Sequence, residues 1–320
     1  MSGLIPDWLR HKPADIEASF YEAQKYKTHF SMLGPVGGGK TTIAAATVLT
    51  AETLSAQVGN FYCRVLPQSS HIIADANNLR VGRFPKKTDP FNPVPPEAGL
   101  MVCERGWRDK KVQQSVCDVG GEVFDHMLVD PRTALSQKRQ LADRRVIDYV
   151  RDSQGFAVVL PAPKAILFRT SHEQHDPDEH VYRVLSQTLE WKRLNRREVK
   201  GIAVWLSQWD EAMDIAKDMG MDIYDPVEPQ AALARFMDNG FPSVAMLLKP
   251  LEAAGKVKYF RSYFQIKKRE DGVTDMTWED DPKAKVIDVL DDPASYIRYK
   301  PKYSEQDYID YIRWMGRFAD

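Results

Sequence analysis

Cysteine is scarce in this sequence. Cys63, Cys103 and Cys117 are the only three in 320 residues, and no two stand at C-x-x-C spacing. That excludes a disulfide-stapled scaffold, argues against a zinc site, and fits reduced, buried thiols in a cytoplasmic protein. Long apolar runs are missing too, so no membrane span is expected, and Met1–Asp15 carries Arg10, Lys12 and two prolines where a signal peptide would have an apolar core. Ser2 and the closing Arg-Phe-Ala-Asp leave no myristoyl or prenyl signal. Charge of one sign is absent as well: 44 basic residues stand against 45 acidic ones, a net charge of −1, so no global field draws the chain to nucleic acid or to an anionic membrane. There is no internal repeat and no low-complexity block, and the order of residues supports neither a Ser-His-Asp triad nor paired catalytic carboxylates.

With 43% apolar and 10% aromatic residues, the chain has the material for a large globular core. Glycine is sparse, at 18 residues, yet the stretch Gly34-Pro35-Val36-Gly37-Gly38-Gly39-Lys40-Thr41-Thr42 fits the phosphate-loop pattern G-x-x-x-x-G-K-[ST]. Glycines let the backbone fold into a concave nest whose N–H groups point at a β-phosphate. Lys40 reaches the β/γ oxygens, and Thr41 offers a hydroxyl to Mg²⁺. The helix that follows adds its positive end. Context agrees, because Lys27–Leu33 alternates like a strand, and Thr41–Ala56 is rich in Ala and short of breakers, like a helix.

Farther along, Pro13–Tyr26 reads as a short amphipathic helix. Asn60–Pro96, with Pro67, Pro85, Pro90, Pro93, Pro95 and Pro96, reads as too punctuated for regular structure. Leu100–Cys103 and Val112–Cys117 suggest an antiparallel pair of strands. Phe156–Leu160 and Gly201–Leu206 read as buried strands and Lys256–Lys267 as the last strand, with helices expected at 134–151, 180–195, 230–239 and 243–255. The order implies an α/β fold of three layers: a mainly parallel sheet with one antiparallel strand, helices on both faces, and helical extensions at both ends. We divide the chain into an N-terminal extension (1–26), a phosphate-loop domain (27–267), and an acidic linker or hairpin with a C-terminal helix (268–320). In that helix Tyr308, Tyr311, Ile312 and Met315 share one face, with Ser304 as its cap. The helix either packs back on the domain or binds a partner, and its apolar face favours packing back.

A second segment, Val116-Cys117-Asp118-Val119-Gly120-Gly121-Glu122, ends an apolar strand in Asp-x-x-Gly. An acid there can hold Mg²⁺ through water, and the glycine N–H can bond a γ-phosphate and so sense its presence. Together the two segments resemble the Ras-like and Arf-like (TRAFAC) GTPases, whose third motif reads D-x-x-G and is often D-V-G-G-Q in the Arf and G-alpha branch. The resemblance implies that Glu122 stands in the place of the water-orienting glutamine. Its charge beside the γ-phosphate then implies slow or partner-dependent hydrolysis. Thr88, in Gly82-Arg83-Phe84-Pro85-Lys86-Lys87-Thr88, occupies the order expected of the first-switch threonine that coordinates Mg²⁺. That stretch also resembles one in bacterial double-GTPase proteins, which are thought to act beside a partner GTPase.

For the base, the resemblance points to Leu206-Ser207-Gln208-Trp209-Asp210 at the end of a buried strand. Asp210 matches the aspartate of N/T-K-x-D that accepts hydrogen bonds from guanine, and Gln208 replaces the lysine whose stem covers the base. The fifth motif falls near Phe260-Arg261-Ser262. The expected binding residues are therefore Gly34, Val36–Thr42, Asp118, Gly121, Gln208 and Asp210. Lys40, Thr88 and Glu122 are the catalytic set, and Thr41, Thr88 and Asp118 the Mg²⁺ ligands. The function implied is a Mg²⁺-dependent GTP switch that recruits or regulates a protein partner, a second GTPase being one candidate. A phosphate-loop ATPase serving a motor or transport assembly, and a nucleotide-binding scaffold with negligible hydrolysis, are the alternatives.

Overall fold

The computed structural model describes residues 28–35, 37–57, 61–65, 70–85, 100–105, 110–115, 150–167, 177–268, 274–280 and 299–318. The expected helices at 13–26 and, apart from its last turn, at 134–151 lie outside them.

Seven strands form the main sheet: β1 (His29–Leu33), β2 (Phe61–Val65), β3 (Leu100–Arg105), β4 (Lys110–Ser115), β5 (Gly155–Pro161), β6 (Gly201–Ser207) and β7 (Val257–Ser262). Their order across the sheet is β2-β3-β4-β1-β5-β6-β7. Strands β1, β5, β6 and β7 are all parallel, and β4 adds to the other edge of β1 in the same direction. β3 runs antiparallel to both β2 and β4, so the pair expected at 100–117 is present. The chain is of the α/β class, as its alternation of strands and helices implied.

β1, β5 and β6 are buried at every position; β5 and β6 are accordingly nearly continuous apolar runs, while β1 buries His29 and Ser31 beside its apolar residues. Alternate residues still point to opposite faces and feed two separate cores. Met32, Val159, Trp205 and Phe260 face α1 (Lys40–Gln57), α2 (Ser70–Arg80) and α8 (Glu305–Met315). Val158, Leu160, Val204 and Tyr259 face five helices: α3 (Ala162–Leu167), α4 (Pro177–Leu194), α5 (Trp209–Asp218), α6 (Pro229–Gly240) and α7 (Pro242–Ala253). Among the described residues no helix is long and apolar enough to cross a membrane.

Three expectations need correction. The stretch 60–96 is not irregular throughout, since it contains β2 and α2. Its prolines cluster at 67 and from 85 onward, which leaves a clear window in which Ile72, Ala76 and Leu79 bury one helical face. The strand expected over Lys256–Lys267 is broken after Ser262. Ile266–Lys268 (β8) pairs instead with Thr274–Met276 (β9), and Trp278–Asp280 (β10) pairs with Tyr299–Pro301 (β11). Ser304 does precede α8, but its hydroxyl makes no cap bond. It donates to the Arg261 carbonyl at 2.9 Å and accepts from the Tyr263 amide at 3.3 Å, tying the helix start to the end of β7.

The C-terminal helix packs back on the sheet. Trp205 of β6 lies 4.7 Å from the Tyr308 ring, 5.0 Å from Tyr311 and 5.1 Å from Phe260, and Trp314 meets Phe30 of β1 at 5.8 Å. Such ring pairs are worth about 0.5–1.5 kcal/mol each beyond their buried area. α8 is thus part of the core that supports the parallel strands and, through them, the edge where the functional residues gather.

Candidate functional site

The glycine loop joins β1 to α1 at the carboxyl end of β1, where neighbouring strands were added in opposite directions, β4 on one side and β5 on the other. In open α/β sheets ligands bind at such a switch point. Gly34 lies hard against the next strand, because a Cβ there would stand 2.6 Å from the Val159 carbonyl oxygen. Gly37 (φ 71°) and Gly39 (φ 87°) adopt the left-handed backbone that side chains disfavour. A Cβ on Gly37 would meet no heavy atom within 4 Å, so the loop is open on that side, while one on Gly39 would sit 3.6 Å from Cβ of Ser207. The Gly38 amide donates to the Pro35 carbonyl at 3.1 Å and closes the turn.

Lys40, the first residue of α1, is only 4% exposed. Its Nζ donates to the carbonyl oxygens of Gly34 and Pro35, each at 2.9 Å, so the ammonium is folded back across the loop. Thr41 and Thr42 follow, half-buried, in the first helical turn, whose amides have no acceptor within the helix. A buried cation, glycines that let the backbone curl, and a helix N-terminus form a donor set that fits a chain of phosphates. Of the residues expected to ligate Mg²⁺, Thr41 is the one among the described residues. Among the described residues no group of three His, Cys, Asp or Glu suits a metal.

Gly34→Ala is expected to destabilise the fold by about 1–3 kcal/mol, since the new methyl would press on strand backbone and no flexible side chain is there to yield. A lowered urea midpoint with an unchanged slope is the measurement.

The expected base-binding residues reach the same edge. Ser207 closes β6 beside Gly39, and its Oγ bonds the Leu160 carbonyl at 3.3 Å. Gln208 then takes φ 56°, a left-handed conformation unusual for a non-glycine residue, and begins α5 with its side chain exposed. Strain of this kind concentrates at functional turns. Trp209 does not face outward. It is 3% exposed, edge-on to Phe236 at 5.0 Å and to Tyr224 at 6.0 Å, and serves as a packing residue. Asp210 is half-buried in the first turn of α5. Burial pushes its carboxyl up to about 6; the amides of Glu211 and Asp210 pull the other way, and the charges of Glu211 and Asp214 raise it further.

Val36, Thr88, Asp118, Gly121 and Glu122 lie outside the described residues. β4, which leads to Asp118, runs parallel to β1 with Ser115 level with Ser31, and so leaves the sheet at the edge that carries the loop.

The sequence reading placed the fifth motif near Arg261, but the partners of that arginine escaped it. Arg261, near the end of β7, donates through Nη2 to Oδ2 of Asp307 at 2.7 Å and through Nε at 3.2 Å, and Asp307 Oδ1 also accepts the Arg261 amide at 3.0 Å. The guanidinium lies 4.3 Å from the centre of the Tyr224 ring. An arginine within an apolar strand run was the available signal, but its acidic partner lies 46 residues away. A cavity of about 480 Å³ opens between α3, α6 and the segment 221–226, lined by Ile166, Met221, Tyr224, Asp225, Arg235 and Phe236, with no residue of the glycine loop in its wall.

No family model matches the chain, and no curated protein matches its sequence.

Proposed function

We propose that the protein is a Mg²⁺-dependent, GTP-binding and GTP-hydrolysing switch of the phosphate-loop NTPase fold, acting on a protein partner in the cytoplasm. The observation that carries this reading is the glycine loop at the carboxyl ends of the parallel strands, with Lys40 buried and bonded across it. On binding, Lys40 Nζ exchanges two carbonyl oxygens for phosphate oxygens, and the amides of the loop and of the first turn of α1 receive the remaining charge. Mg²⁺, held on the protein side by Thr41, would neutralise charge on the phosphate oxygens. Asp210 accepts the two N–H donors of a guanine edge from the first turn of α5, which the left-handed Gln208 precedes.

Thr88, Asp118, Gly121 and Glu122 enter by resemblance alone, as the switch residues that respond to the γ-phosphate. A carboxylate at Glu122 predicts slow intrinsic hydrolysis. A partner, of which a second GTPase is the candidate, then sets the rate. The specific observation favouring the adenine alternative is Gln208, which lacks the long cationic stem expected over guanine.

Titration with mant-GTP and mant-ATP in the presence of Mg²⁺ tests both levels of the proposal. Preferential binding of mant-GTP supports it. Equal affinities or an ATP preference overturn the guanine assignment, and failure to bind either overturns the nucleotide reading.

A further inference from the structure

We propose that Asp307, on the C-terminal helix α8, acts as a positioning residue for the base site: it holds Arg261 away from Asp210 and so keeps that carboxylate open to a base. The inference rests on the assignment of Asp210 as a base acceptor. It goes beyond that assignment by placing control of the site in the C-terminal segment.

The geometry forms a chain of contacts. β6 and β7 are parallel, with Leu206 level with Arg261 and Ser207 level with Ser262, so Asp210 and Arg261 emerge at the same edge of adjacent strands. Tyr224 links the two strand ends, meeting Trp209, the residue before Asp210, at 6.0 Å and the Arg261 guanidinium at 4.3 Å. Burial raises the Tyr263 hydroxyl most; the Arg261 charge lowers it, and the charges of Asp307 and, least, Asp210 raise it. Among the described residues the arginine pairs with Asp307, whose side chain is 11% exposed and which takes two guanidinium nitrogens and the Arg261 amide.

Asp210 shows what this arrangement leaves behind. The charged groups acting on its carboxyl are Glu211 and Asp214, both acidic, and no described cation offsets its burial. A carboxylate bonded by a neighbouring arginine is a poor acceptor for a ligand, because the ligand must first displace a charge-assisted hydrogen bond. Asp307 prevents that competition by satisfying the guanidinium first. It sits in the first turn of α8, and that helix is anchored by Tyr308, Tyr311 and Trp314 in the core. Displacing the helix would therefore release the arginine toward the base site and weaken nucleotide binding without any change in the phosphate loop.

The test is the carboxyl titration of Asp210, followed by ¹³C NMR in the full chain without nucleotide. In D307N the Asp210 pKa is expected to fall by about one unit or more, as a freed arginine within reach lowers a neighbouring acid. In the double variant D307N/R261M it returns to the wild-type value, and mant-GTP affinity, reduced several-fold in D307N, recovers with it. An Asp210 pKa unchanged in D307N overturns the proposal. R261M alone gives a second check should D307N fail to fold: the wild-type Asp210 pKa is retained if the arginine is already held off, whereas a rise would show that Arg261 acts on the carboxylate in the native state and would overturn the idea. The titration needs no nucleotide and so tests the hold on Arg261 separately: failure of the wild type to bind mant-GTP overturns the base-site assignment and with it the positioning role, whereas an unchanged Asp210 pKa in D307N overturns the positioning role alone.

Discussion

Replacing Lys40 with Ala lowers mant-GTP affinity by roughly 100-fold or more, the largest single effect expected from any substitution in the loop. The ammonium is buried and already bonded to the carbonyls of Gly34 and Pro35, so it is oriented before a ligand arrives. Truncating one member of a buried charge-assisted contact typically costs about 2–5 kcal/mol, where 1.4 kcal/mol is tenfold in affinity. The same substitution takes a donor from the Gly34 carbonyl, at about 1–3 kcal/mol unless water replaces it, whereas the Pro35 carbonyl keeps the Gly38 amide. Lys40→Met also loses the donor and differs from Lys40→Ala only in the stem. It keeps the stem packed among its neighbours but still lacks the charge, so its binding loss should match that of Lys40→Ala while its unfolding midpoint stays closer to wild type. Isothermal titration beside urea unfolding makes the comparison. A mant-GTP affinity within a few-fold of wild type in both variants would remove the phosphate-loop argument.

The features legible in the sequence were those fixed by short-range chemistry. Gly37 and Gly39 announce a left-handed loop, Lys40 follows at a set spacing, and the apolar runs at 156–160 and 201–206 can be satisfied only by burial on both faces. The proline count misled over 60–96, because density over a long window hid a proline-free segment able to form α2. α5 escaped notice although Trp209, Ala212 and Ala216 form a buried stripe, because Asp210, Glu211, Asp214, Lys217 and Asp218 dominate its sequence. The hydroxyl of Ser304 was misassigned for a different reason. In a capping bond the hydroxyl oxygen accepts from a helix amide; here it accepts from the Tyr263 amide at 3.3 Å and donates to the Arg261 carbonyl, 43 residues away in sequence, at 2.9 Å, partners that only the fold brings near. The same holds for the Arg261–Asp307 pair, whose members have no reason to be matched until β7 and α8 meet.

Replacing Asp210 with Asn reduces the preference for GTP over ATP from tenfold or more to near unity, with little change in ATP affinity. A carboxylate accepts two hydrogen bonds from the paired N–H donors of guanine, whereas an amide turns one acceptor into a donor and faces the base with a mismatch. Bidentate contacts of this kind discriminate by about 1–3 kcal/mol. The raised carboxyl pKa adds a pH signature. Because the folded value, about 6, exceeds the ordinary 3.8, the stability this group contributes is fully present below pH 3.8 and is lost as pH rises through 6. At neutral pH the ionised carboxylate is therefore held at a cost to the fold, and Asp210→Asn should raise the melting temperature at pH 7 while leaving it unchanged near pH 4. Binding follows the opposite course in the wild type: mant-GTP affinity climbs between pH 5 and 7 as the carboxylate ionises, and the bound base draws the pKa down. Only a base acceptor couples these effects, since a residue that merely packed in α5 would shift the melting curve and leave the GTP-to-ATP ratio flat across pH. That flat ratio, measured with mant nucleotides in wild type and variant, is the result that would remove Asp210 from the site.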